Sequence, residues 1–236
     1  MFLPLHDNAP LRVIRFQTVT AALVVINVAV FLVLRYGMPP ETAQAAALAL
    51  GTVPAVITAR AELASGLQLV PEVATLFTYM FLHAGWLHLI GNMAFLWVFA
   101  DNVEDGFGHL GFIVFFLACG VGAGLTHAFM LPDSRLPLVG ASGAVAGVLA
   151  SYMLLFPRSR VWVLLFMRIP VRLSALWALA GWIGFQVLAA FAGGEATAGG
   201  VAWWAHIGGF CTGLVITLMM RRRLIRRLSG RAGFLR

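Results

Sequence analysis

Ser142 heads the stretch Gly140-Ala141-Ser142-Gly143-Ala144-Val145-Ala146-Gly147, a hydroxyl at the start of an apolar run with small residues along one side. In an aqueous protein Gly-x-Ser-Gly suggests a strained turn that exposes a nucleophile. Between lipid-embedded helices the same residues serve equally as packing contacts, so both readings stand at this point. His88 and Asn92 are four apart and share one helical face. Both side chains can donate hydrogen bonds, which suits a developing oxyanion; the alternative is that they tie down a neighbouring loop. His plus Asn with no carboxylate is a poor metal site, and no His-Glu-x-x-His stretch exists, so no metal or other cofactor is expected. His206, in Ala205-His206-Ile207-Gly208-Gly209-Phe210-Cys211-Thr212-Gly213, is either a packed histidine or a base for the serine proton. Gly209 and Gly213 repeat the four-residue spacing of Gly143 and Gly147. If those faces meet, Ser142 and His206 lie close together. No acid is placed to orient His206, so the unit would be a dyad without a third member.

The elements that must position these groups are membrane spans. Of 236 residues 61% are hydrophobic and 11% charged, with a mean hydropathy of +0.92. Soluble domains carry about a quarter charged residues. The net charge is +7, every basic residue is Arg, and most arginines lie at span ends. That pattern is topological and does not suggest nucleic-acid binding. Cys119 and Cys211 both lie inside apolar runs and imply neither a disulfide framework nor a zinc cluster.

Six spans are expected, near Thr18–Leu34, Gly85–Val103, His109–Met130, Ala141 to before Pro157, Leu173–Ala192 and Ala202–Met220. Asp101, Glu104, Asp105 and Gly106 are read as the end of the second, Gly193-Gly194-Glu195 as the end of the fifth, and Arg221-Arg222-Arg223 as the end of the sixth. Residues 1–17 read as an amino-terminal tail and 18–221 as the membrane domain. Its long first loop, about 35–84, holds short interfacial helices at Ala43–Leu50 and Val53–Leu63. Residues 222–236 form an Arg-rich tail with affinity for anionic lipid. The first apolar run is read as a retained span, since no small-residue cleavage site closes it.

Thirteen of the sixteen arginines fall in the two tails and the fourth-to-fifth loop. The positive-inside rule therefore puts both termini in the cytoplasm and the first loop outside. Spans two, four and six then run inward, and His83, His88, Asn92, Ser142 and His206 all come to the outer leaflet. Span four, about 16 residues at about 1.5 Å each, is roughly 24 Å long. It falls short of a hydrocarbon core of about 30 Å, so Ser142 is expected slightly below the outer surface. No charged residue falls near the middle of a span, and no internal repeat is visible. Both facts disfavour a small-solute transporter.

With these residues in hand the chain resembles the rhomboid intramembrane serine proteases over roughly Phe16 to Met220. The matching pieces are the run from His83 through Trp86, His88, Gly91 and Asn92 to Met93, then Gly140-Ala141-Ser142-Gly143, then Ala205-His206-Ile207-Gly208-Gly209. Glu104 with Gly108 also resembles the family. The resemblance implies an all-α bundle of six transmembrane helices with a long external first loop. It implies Ser142 as nucleophile and His206 as base, with His88, Asn92 and the Ser142 N–H as oxyanion donors. His83, Gly140, Gly143 and Gly209 would be supporting motif positions. The implied activity is endopeptidase cleavage of single-span or other transmembrane substrates near the outer face, in a bacterial inner (cell) membrane. Two departures stand out. Ala74 and Thr75 occupy the place of a Trp-Arg pair frequent in the first loop, and Ala146 that of a tyrosine which in some members stacks on the base. The rival from another class is a non-catalytic rhomboid-like binder of membrane helices.

Overall fold

The computed structural model describes residues 2–165, 168–192 and 200–230. Apolar runs fold into helices wherever Gly, Pro or a polar residue bounds them. They are α1 (Thr18–Tyr36), α2 (Pro40–Leu50), α3 (Pro54–Ile57), α4 (Thr75–Thr78), α5 (Trp86–Phe107), α6 (His109–Met130), α7 (Ser142–Leu155), α8 (Ala175–Phe191) and α9 (Trp203–Ser229). Helices α1, α6 and α9 are each long and apolar enough to cross a membrane. A fourth such unit is the segment Glu72–Phe81 with α5, bent by 84° between its two parts. Helices α7 and α8 are shorter apolar helices.

Helix α7 is the axis of the bundle. Every residue from Gly143 to Tyr152 is buried, as expected of a helix that is apolar all round and enclosed by others. Helices α5, α6, α8 and α9 surround it. At 14 residues it is about 21 Å long.

The expectation of an all-α fold needs correction. A three-stranded antiparallel sheet lies at one end of the bundle, in the order β1 (Phe2–Asp7), β2 (Arg160–Leu165), β3 (Ile169–Ser174). Six residues of the expected amino-terminal tail therefore form an edge strand. Pro4, which donates nothing to a ladder, is tolerated there. In β2 buried Val161 and Val163 alternate with exposed Arg160 and Trp162, a pattern that fits a pleated, half-buried strand.

The acids at the end of α5 also differ from expectation. They do not stop the helix, which continues to Phe107. Glu104 and Asp105 are buried because they have donors to receive. Helix α1 has no side-chain cap from its own flank. Instead Glu104 accepts the backbone N–H of Val19 (3.0 Å) and Thr20 (2.8 Å), and the Thr20 hydroxyl (2.7 Å). A carboxylate is well placed at a helix N-terminus, where first-turn N–H groups lack partners. His109 Nδ1 meets the same carboxylate at 2.5 Å. Asp105 accepts the N–H groups of Arg12, Val13 and Ile14 at 2.7 to 2.8 Å. Asn102 donates to the Ala9 carbonyl, and the Tyr152 hydroxyl donates to Asp7. Helix α9 likewise continues past the Arg221–Arg223 run, because Leu224 and Leu228 are buried facing Gly106 of α5. The expected end of the fifth span at Gly193-Gly194-Glu195, and Arg231 and Arg236 of the tail, lie outside the described residues.

Asp7 yields a prediction. Burial raises its carboxyl above the ordinary carboxylate range, against the opposing hydrogen bond from Tyr152. The fold thus favours the protonated form. That contribution is fully present below the unfolded value of about 3.9 and is lost as pH rises through the raised native value. Asp7→Asn keeps a carbonyl acceptor for Tyr152 and carries no charge. Its thermal midpoint in detergent should exceed that of wild type near pH ~8 and converge on it near pH ~4. A variant less stable than wild type at the higher pH would refute this.

The first loop is packed rather than trailing. Thr52 pairs with Leu138 in an isolated bridge, Thr58 donates to the Pro132 carbonyl, and Arg60 pairs with Asp133 at 2.7 Å. The Thr52 hydroxyl donates to the Thr75 carbonyl, and the Thr78 hydroxyl to Leu50. Threonine hydroxyls and backbone thus anchor the region where Ala74 and Thr75 replace the Trp-Arg pair. Helix α2 covers the expected Ala43–Leu50 piece, whereas only Pro54–Ile57 of the second piece is helical.

Candidate active site

Ser142 is the first residue of α7 and is half-buried. The backbone arrives there through Gly140, whose φ of 120° L side chains rarely adopt. The Gly140 N–H donates to the Tyr79 carbonyl at 2.9 Å. The buried Tyr79 is in turn fixed by its hydroxyl, which donates to the Gly120 carbonyl at 2.7 Å. Any Cβ at position 140 would lie 2.6 Å from both Cε1 and Nε2 of His88, and 3.8 Å from Asn92 Nδ2. The helical face carrying His88 and Asn92 is therefore turned onto the backbone two residues before Ser142. Asn92 is buried, and one of its amide protons goes to the His88 carbonyl at 2.9 Å. The His83 ring stands edge-on to His88, with centroids 5.1 Å apart.

Helices α7 and α9 meet glycine to glycine. A Cβ on Gly209 would overlap the Gly143 carbonyl oxygen, and one on Gly213 that of Gly147. Ser151 and Thr217, one turn further along each helix, are both fully buried, and neither hydroxyl has a hydrogen-bond partner among the described residues. The two glycine faces read from the sequence thus touch. Gly143 lies under Ala205, since a Cβ there would come within 3.4 Å of the Ala205 carbonyl. Ser142 and His206 are the sequence neighbours of that contact. Among the described residues the Ser142 hydroxyl has no hydrogen-bond partner, so it shares no hydrogen bond with His206.

His206 is buried, and its environment contains two residues that the sequence reading missed. Its Nδ1 lies 2.8 Å from Gln186 Oε1. Its ring packs on Trp182 at 5.6 Å with 36° between planes, and edge-on to Trp203 at 6.5 Å. Trp182 and Gln186 are four apart on α8 and so present one face. Their signal was available: an amide within an apolar helix is costly unless paired. Trp182 also packs against the cluster of Ala146, Ala150 and Phe210. His127 is buried on α6, and His109 belongs to the Glu104 network. Among the described residues no cluster of three or more His, Cys, Asp or Glu could hold a metal ion.

Comparison with known proteins supplies the kinship. The family model described as the Rhomboid domain matches residues 70–223, well over half of the chain. Rhomboid-like protein 11, chloroplastic, of Arabidopsis thaliana is 44% identical over 73 residues, covering 31% of this chain and 26% of that protein. RHOMBOID-like protein 12, mitochondrial, of Arabidopsis thaliana is 26% identical over 164 residues, 63% of this chain and 46% of its own length. Rhomboid protein 1, mitochondrial, of Saccharomyces cerevisiae is 29% identical over 141 residues, 57% and 38% respectively. The chain spans less than half the length of these relatives. The matched domain takes in α4 through most of α9, with Ser142, His206, His88 and Asn92 all inside it, and this multi-pass membrane protein belongs to the rhomboid family.

Proposed function

We propose that this chain is an intramembrane serine endopeptidase that cleaves transmembrane-helix substrates near the outer face of the membrane. The observation that carries the reading is the convergence at the head of α7. His88 and Asn92 face the Gly140 backbone there, and glycine contacts seat α9, with His206, directly against α7. Ser142 Oγ attacks the scissile carbonyl carbon while His206 takes its proton. The resulting oxyanion is met by His88, Asn92 and the unpaired N–H groups of the first turn of α7. The tetrahedral adduct collapses, the amine leaves with the proton from His206, and water then releases the acyl chain by the same route.

The six-span count belongs to this proposal, with α7 and α8 as the two short spans and Ser142 below the outer surface. So does a bacterial inner membrane with both termini cytoplasmic. One internal consistency supports the topology: β1, the β2–β3 hairpin and the inner end of α5 share one end of the bundle, which carries most of the arginines. Reporter fusions in the first loop and at the carboxyl terminus should report opposite sides, and an external carboxyl terminus would overturn the orientation.

A second reading, a non-catalytic binder of membrane helices, is favoured by the lack of a Ser142–His206 hydrogen bond. Catalytic hydrogen bonds often form only once substrate is bound, so this does not outweigh the convergence. Cleavage of a single-span substrate by the purified protein in detergent, beside Ser142→Ala, separates the two. Asn92→Ala should lower turnover about 10²–10³-fold without abolishing it, since other donors remain. Wild-type turnover in that variant would return Asn92 to a loop-tying role.

A further inference from the structure

Gln186 lies within an apolar helix, is 4% exposed, and directs Oε1 at His206 Nδ1 over 2.8 Å. A carbonyl oxygen carries lone pairs only, so the proton in that bond belongs to Nδ1. The neutral imidazole then keeps its free lone pair on Nε2. We propose that Gln186 is a positioning residue that holds His206 in the Nδ1–H tautomer and in the ring orientation that lets Nε2 take the Ser142 proton. The role rests on the Ser142–His206 reading above. It is the place an aspartate fills in a Ser-His-Asp triad.

A neutral amide suits this depth better than a carboxylate. An ionised acid surrounded by apolar helices is expensive to keep, whereas an amide oxygen sets the tautomer at no charge cost. Trp182, one turn earlier on α8, packs on the ring, so a single helix face controls both the tilt and the proton of His206. The opposite amide orientation would donate to Nδ1 and force the proton onto Nε2, where it blocks catalysis. The two orientations therefore predict opposite results.

The test combines kinetics with a readout that needs no activity. In protein labelled with ring-¹⁵N histidine, His206 signals are assigned by difference from His206→Ala. Wild type should show a protonated Nδ1 and a bare Nε2, and Gln186→Met should show mixed tautomers. Gln186→Met should lower kcat roughly 10- to 100-fold with KM within about twofold, because a misplaced proton affects chemistry rather than binding. Gln186→Glu, whose carboxyl keeps a C=O acceptor for Nδ1–H even when neutral, should recover part of the loss. Three results overturn the inference: a protonated Nε2 on His206 in wild type, wild-type kcat in Gln186→Met, or a loss that Gln186→Glu does not rescue while the tautomer stays unchanged. Fluorophosphonate labelling tells this failure from that of the underlying reading. If wild type labels at Ser142 and cleaves while Gln186→Met is unaffected, only the role of Gln186 falls. If folded wild type neither labels nor cleaves, both fall together.

Discussion

Ser142→Ala and His206→Ala should each abolish detectable proteolysis of a single-span substrate, and the double variant should be no worse than either. In the proposed mechanism nucleophile and base act in one step, so removing one leaves the other without a task and the losses cannot add. Alanine at 142 keeps the small contact beside Gly143, and the fold should survive it. His206→Ala removes the partner of Gln186 and the ring against Trp182, so its thermal unfolding must be measured alongside. A serine-directed fluorophosphonate should label wild type, fail on Ser142→Ala and label His206→Ala weakly. Cleavage by Ser142→Ala, or normal labelling of it, would remove the serine from the mechanism.

Gly209→Ala should be nearly as damaging while touching no reacting group. Its methyl would overlap the Gly143 carbonyl oxygen. That atom is backbone, so no rotamer change relieves the clash and α7 must move away from α9. Overpacking typically costs about 1–3 kcal/mol, and contact between two backbones belongs at the upper end. Misplacement by about 1 Å can cost roughly 10²-fold in rate, and here the displaced helices carry Ser142 and His206. Turnover should fall about 100-fold and the thermal midpoint should drop. Gly181→Ala and Gly184→Ala on α8 are the controls, because a Cβ there meets nothing within 4 Å. In a helix they should stabilise by roughly 0.5–1 kcal/mol. Equal behaviour of all three variants would show that the α7–α9 contact does not set the site.

The glycine pairs were legible because spacing alone identifies a face: small residues four apart on two helices have few other uses in an apolar bundle. Helix α6 was legible to the residue, bounded by Gly108 and by the Pro132-Asp133 turn. Gln186 and Trp182 belong to none of the sequence motifs and carry no charge. A neutral glutamine among Phe, Val and Leu does not stand out by charge, and its partner lies 20 residues away. The sheet was hidden for another reason. Strand β2 is apolar enough to pass for membrane flank, and β1 acquires meaning only from a partner more than 150 residues later. Glu104 and Asp105 read as stop signals because a charge at a span end usually faces water. Their true surroundings are backbone N–H groups 84 to 93 residues earlier in the chain.

Those long separations impose an order on assembly. As the chain is synthesised, residues 2–20 appear well before their partners: Glu104 and Asp105 come some 85 residues later and those in β2 later still. Until then the start of α1 holds unpaired N–H groups, and β1 is a strand without a sheet, both obliged to remain in water. Contacts this distant in sequence close slowly, since loop-closure entropy is spent before they form. This early segment is thus among the last to dock, and its docking joins α1, the carboxyl-terminal end of α5 and the β2–β3 hairpin into one unit only when all three have arrived.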